Sequence, residues 1–200
     1  MNPTLRFVTS ASIDWYPVSI KDLVYPIKSG KSKKDDNGDY ALYGATGIIG
    51  HTNDVYSEDA LILAARVGSV GNVSLRYGNF GVSDNVLVIK PNENSNIGFV
   101  FYLLVHKVNW KSLSNGTSQS VVSAKKVEDY KVYVPNLEEQ QKIAAFFTAL
   151  DEKIRLSEQK LNLISKIKKE SRKSFLHKIF ASRIKMVISS ILGNHILLES

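Results

Sequence analysis

From Leu137 to about Phe180 the chain carries a helical pattern with an apolar seam. Steps of four and three residues from Ile143 meet Phe147, Leu150, Ile154, Ser157, Leu161, Ile164, Lys168, Ser171 and Phe175, the spacing that a coiled coil buries. No Gly or Pro interrupts the run. At about 1.5 Å per residue, some 40 residues form a rod of roughly 60 Å, longer than one compact domain can cover. The pattern therefore predicts a partner helix. Ser157, Lys168 and Ser171 weaken such a seam but fix its register and its choice of partner.

Upstream, short apolar runs alternate with Gly, Asn, Asp and Ser turns. They predict strands near Ala41 to Tyr43, Ala60 to Ala65, Asn72 to Arg76, Val86 to Ile89 and Tyr130 to Val134. One helix is expected over Gly98 to His106, with Asn96 as its cap. The fold class is α+β: a mainly β domain over residues 1–136, a long helix over 137–180, and a tail over 181–200. The tail faintly echoes Ile20-Lys21-Asp22-Leu23-Val24, as though a second copy of the domain were beginning, and chance competes with that reading.

Charge narrows the partners. Lys and Arg number 26 against 19 Asp and Glu, a formal net charge of +7 with a pI near 9.4, which favours a polyanion or an acidic protein surface. There is no cysteine, so no disulfide framework or thiolate zinc site forms, and His51, His106, His177 and His195 are too scattered for a metal cluster. The start of the chain lacks the layout of a secretory signal, and no window is apolar for long enough to span a bilayer. A cytoplasmic protein with no membrane partner is expected.

Catalytic patterns are weak. Arg66-Val67-Gly68-Ser69-Val70-Gly71 lacks the Lys-Ser/Thr ending of a phosphate loop and precedes a strand where that motif needs a helix. It suits a tight turn between strands, compatible with an approach of Arg66 and Ser69 to a DNA phosphate. The acids Asp35, Asp36, Asp39, Glu58, Asp59 and Asp84 show no nuclease spacing, and no cofactor loop with a methyl-transfer motif is present. Binding is expected of this chain rather than catalysis, with no cofactor or metal of its own.

Several loops suit nucleic acid. Ser29 to Lys34 places Lys31, Lys33 and Lys34 on a flexible basic segment, which would equally serve as a solvated loop. Tyr43 and Thr46 flank a glycine turn from which hydroxyls can reach a groove. Asn115, Thr117, Ser118 and Gln119 form a polar loop followed by Lys125, and amides of this kind match the edge of adenine. On the rod, lysines and arginines outnumber acids, as a solvated face would allow and as a rod beside DNA or an acidic subunit would require.

Four segments carry a family resemblance: Tyr43 to Gly50, Ile62 to Gly71, Asn115 to Gln119, and Val134-Pro135-Asn136-Leu137-Glu138-Glu139-Gln140-Gln141-Lys142-Ile143-Ala144. Together they resemble one half of the specificity subunit of a Type I restriction-modification enzyme. That resemblance implies a target-recognition domain that reads one part of a split double-stranded DNA sequence, joined to a spacer helix that pairs antiparallel with a second one. It implies assembly with methylation and restriction subunits, which hold S-adenosylmethionine, ATP and Mg. With a single unit, the chain is expected to be a self-pairing half-subunit, a truncated product or a fragment. Ile143, Phe147, Leu150, Ile154, Leu161, Ile164 and Phe175 would form the interface between copies. A coiled-coil adaptor without target reading, or a nuclease or methyltransferase fragment, are the competing readings.

Overall fold

The computed structural model describes residues 15–114 and 121–196. The strands are β1 (Tyr16–Ser19), β2 (Lys28–Ser29), β3 (Tyr40–Gly44), β4 (Gly47–Thr52), β5 (Tyr56–Ala65), β6 (Val73–Val82), β7 (Val86–Ile89) and β8 (Lys131–Val134). The helices are α1 (Ile97–His106), α2 (Trp110–Leu113), α3 (Ala124–Glu128) and α4 (Leu137–Ile196). The chain divides into two units, 1–148 and 149–200.

In the first unit a six-stranded sheet runs in the order β2-β7-β5-β6-β3-β4, and β1 pairs with β8 as a separate ribbon. Of the ladders in the large sheet, β3 with β6 is parallel and the others are antiparallel. Its centre is buried on both faces, which is why Ala60 to Ala65 is an unbroken apolar run and not an alternating one. Ile62, Ala64, Leu87 and Ile89 join α1, β8 and the start of α4 in the main core. Leu61, Leu63, Val86 and Val88 point the opposite way and pack with Phe80, Val82, Tyr43 and Tyr56 in a second, smaller layer.

The five expected strands all form, and two run further than the sequence suggests. β6 continues through Tyr77, Gly78 and Asn79 because Gly78 takes φ +76 opposite an irregularity between Glu58 and Ala60, a bulge that a glycine makes cheap. Gly47 and Gly50 break up the apolar run of β4, and β1 and β2 are too short to stand out. The capped helix forms as expected, with Asn96 Oδ1 accepting from Phe99 N–H at 3.0 Å.

α4 begins where the proline closes β8, and each residue of that junction has a task. Asn136 Oδ1 accepts from Glu139 N–H at 2.9 Å and so caps the helix. Glu139 in turn accepts from Trp15 Nε1 at 3.3 Å. Gln140, 1% exposed, donates to Pro135 O at 3.0 Å and accepts from Asn96 N–H at 3.1 Å. One turn on, α1 and α4 come so close that a Cβ on Gly98 would stand 3.0 Å from Ala144 Cβ.

The helix does not stop near Phe180 but continues to Ile196. Nothing between Ala181 and Leu192 breaks helical geometry, and a lone glycine such as Gly193 costs only about 1 kcal/mol inside a helix. In the second unit every side chain from Ala149 to Ser190 is exposed.

Candidate nucleic-acid interface

The β3–β4 hairpin turns through Ala45 and Thr46 and forms one wall of a recess of about 100 Å3. Its other walls come from β5 and β6, and its lining includes Tyr43, Thr46, Asn72, Ser74 and Arg76. Asn72 Nδ2 donates to Ala45 O at 3.0 Å, tying the turn to the start of β6. Tyr43 meets Phe80 edge-on at 5.7 Å, and the Arg76 guanidinium lies 4.8 Å from the Tyr43 ring centroid, within cation–π range. A second depression, lined by Gly68, Ser69, Val70, Gly71, Lys111 and Ser114, shares Asn72 with the first.

Tyr43 and Thr46 therefore share one recess, and Ser69 is exposed in its neighbour. The turn carrying Ser69 is held by Gly68 at φ +70 and Gly71 at φ +84. Arg66 is more constrained than a phosphate-seeking side chain would be. Its Nε donates to Val122 O at 3.2 Å and its carbonyl accepts from Val122 N–H at 2.9 Å, so it clamps two segments together while half-buried.

The basic stretch is not the free loop its composition suggests. Ser32 is buried, exchanging bonds with Val82 at 2.9 and 3.1 Å, and Gly30 N–H donates to Val86 O. Lys31 and Lys33 project from this pinned backbone, whereas Lys34 pairs with Asp36 at 3.2 Å and runs its stem along Gly50. Lys125 pairs with Asp129 at 3.6 Å on α3. Asn115, Thr117, Ser118 and Gln119 lie outside the described residues. Among the described residues no group of three acidic or histidine side chains could hold a metal ion, and no helix is long and apolar enough to cross a membrane.

Sequence reasoning misses Asn72, Ser74, Arg76 and Lys111. Ser74 and Arg76 alternate with Val73 and Leu75, which ordinarily marks a solvent-facing edge, yet they share a sheet face with Leu61 and Leu63.

The proposed seam divides in two. Ile143 is 6% exposed within the main core, and Phe147 packs against Tyr102 and His106 at ring distances of 5.1 and 6.5 Å. These two are spent within the first unit, so the uncovered seam starts at Leu150. From there Leu150, Ile154, Leu161, Ile164 and Phe175 are all exposed.

The family model for the Type I restriction modification DNA specificity domain matches residues 12–166. The EcoprrI specificity subunit of Escherichia coli is 26% identical over 120 residues, 60% of this chain and 30% of that protein. A putative type I specificity subunit of Mycoplasma pneumoniae is 31% identical over 127 residues, 62% of this chain and 31% of that protein. The chain thus spans under a third of the length of these relatives. The crystal structure of a Type-I restriction-modification S subunit from M. genitalium superposes with a TM-score of 0.67 at 21% identity, over 78% of this chain and 43% of that one. The HsdS subunit from Thermoanaerobacter tengcongensis shares the fold with a TM-score of 0.53 at 13% identity, over 78% and 41%. With the match running from the sheet domain well into the long helix, the chain belongs to the Type I restriction modification DNA specificity domain family.

Proposed function

We propose that the chain reads one half of a bipartite double-stranded DNA target and that α4 sets the distance to a second reading head. The observation that carries this reading is the family match, continuous from the domain into the helix. The recess at the β3–β4 turn, the projecting Lys31 and Lys33, and the polar turn at Ser69 supply groups that suit groove edges and phosphates.

The exposed apolar residues of the second unit support pairing with another helix, since such a stripe in water is costly until covered. The charge along α4 favours an antiparallel second copy. From Glu138 to Lys160 the acids Glu138, Glu139, Asp151, Glu152 and Glu158 are nearly balanced by Lys142, Lys153, Arg155 and Lys160, whereas lysines and arginines crowd the stretch from Lys166 to Lys185, with Glu170 as the lone acid there. Antiparallel pairing sets each basic stretch against a nearly neutral one, where parallel pairing would set basic against basic, and two identical half-site readers then address a symmetric, interrupted site. Methylation and restriction subunits dock on this scaffold, and the chemistry, with S-adenosylmethionine, ATP and Mg, resides in them; the chain itself does not catalyse.

Sequencing the methylated sites of cells that express the chain with its modification partner tests the scheme. A symmetric split motif is expected. A complex that assembles and methylates without any motif would reduce the chain to an adaptor.

A further inference from the structure

Arg76 stands on β6 on the face of the sheet otherwise packed with Leu61, Leu63 and Phe80. Its guanidinium is held over Tyr43, and its Nε is cut off from water with no hydrogen-bond partner among the described residues. An orphaned buried donor on a cation is costly, and because Nε itself is closed to solvent, an acceptor arriving at the recess that Arg76 lines would meet the outer Nη donors of the fork. The recess it lines, about 100 Å3, is well below the roughly 300–1,000 Å3 of small-molecule pockets. It admits an edge or a single group, not a free nucleotide.

We propose that Arg76 reads a base of the half-site, its planar donors meeting O6 and N7 of a guanine while Tyr43 fixes the plane of the fork. The inference rests on the DNA-reading function proposed above and deepens it. Arginine to the guanine O6/N7 pair is the commonest base-specific contact, because the spacing of its donors matches that edge. A phosphate would be the rival acceptor. The remaining lining favours a base edge: Thr46, Asn72 and Ser74 bring hydroxyls and an amide, and among the described residues Arg76 is the one Lys or Arg there. Phosphate seats ordinarily gather several cations or a helix N-terminus.

The test uses the chain assembled with its modification subunit, as wild type, Arg76→Lys and Arg76→Gln, with thermal melts confirming that each variant is folded. Arg76→Lys keeps the charge but loses the planar fork that stands over Tyr43. The methylated motif of the wild type is expected to contain a guanine at a fixed place in each half. In both variants the preference there should fall roughly tenfold to a hundredfold, with the other positions unchanged. Replacing that guanine by 7-deazaguanine in a synthetic duplex should weaken wild-type binding and leave Arg76→Gln unaffected. An unaltered motif with uniformly weaker binding and a shallower salt dependence would place Arg76 on a phosphate and overturn the proposal. So would a guanine-free motif, or unaltered motif and affinity. A wild-type complex that marks no motif would instead bring down the DNA-reading function, and this inference with it.

Discussion

Gln140 Oε1 accepts a hydrogen bond from Asn96 N–H at 3.1 Å, and through it the first turn of α4 is locked to the cap of α1. The same side chain donates to Pro135 O, so one buried amide satisfies groups on two other segments. Gln140→Leu fills the same space but leaves both backbone partners unpaired, at about 1–3 kcal/mol for each buried group. The expected loss of unfolding free energy is on the order of 2–6 kcal/mol for the two groups together, read from denaturant melts of the first unit's transition. A loss no larger than that of an exposed control such as Gln141→Leu would show that the lock is incidental.

The place where α4 starts is legible in the sequence because that signal is local, a proline closing a strand ahead of a helical pattern, but the bond from Asn96 to Gln140 joins positions 44 residues apart and leaves no such mark. The recess is not legible either, because its partners lie on β3, β4, β5, β6 and β7. Arg76 reads as a solvent-facing strand residue until β3 is folded beneath it, and only the parallel pairing of Tyr43 with Val82 brings that ring into place. The seam shows the same limit in another form. Periodicity marks Ile143 and Leu150 alike as apolar positions, but it cannot tell a side chain covered by its own domain from one awaiting another chain.

Gly68 and Gly71 separate two reasons for a glycine. Both have positive φ, but a Cβ at Gly68 meets nothing within 4 Å, whereas at Gly71 it falls 2.7 Å from Trp110 Cβ. Trp110 cannot yield easily, since its Nε1 donates to Leu104 O at 2.9 Å in the core. Gly68→Ala should cost about 1 kcal/mol of strain alone. Gly71→Ala adds a steric clash, and should reach about 3 kcal/mol. Equal melting temperatures for the two variants would contradict this packing.

The sequence context predicts a contact of Arg66 with a DNA phosphate, and its bond to Val122 O changes what its removal should do. Arg66→Ala is expected to lower stability by about 1 kcal/mol and to weaken binding of the assembled complex at matched salt. The stability loss alone, with binding intact, would leave Arg66 a clamp and nothing more.

Lys31 and Lys33 offer a purely electrostatic check, being exposed on a backbone pinned at Ser32. If both neutralise phosphates, replacing them by Ala should weaken binding similarly on every sequence and reduce the slope of log K against log salt by about 0.9 for each phosphate no longer neutralised. A changed sequence preference with an unchanged slope would move them from the backbone to the bases.

The length of α4 left bare by its own domain makes self-association the sharpest prediction. Leu150 is 40% exposed and Leu161 66%, and covering each would contribute about 1.5–3 kcal/mol. Ile143 and Phe147 are already engaged within the first unit, so changing them would confound folding with pairing; Leu150 and Leu161 are free of that ambiguity. The double variant Leu150→Asp, Leu161→Asp should keep the melting profile of the sheet domain while halving the mass seen by light scattering, since aspartate cannot be buried in a seam without a partner charge. A wild-type mass equal to one chain, or one indifferent to the two aspartates, would refute pairing through this seam.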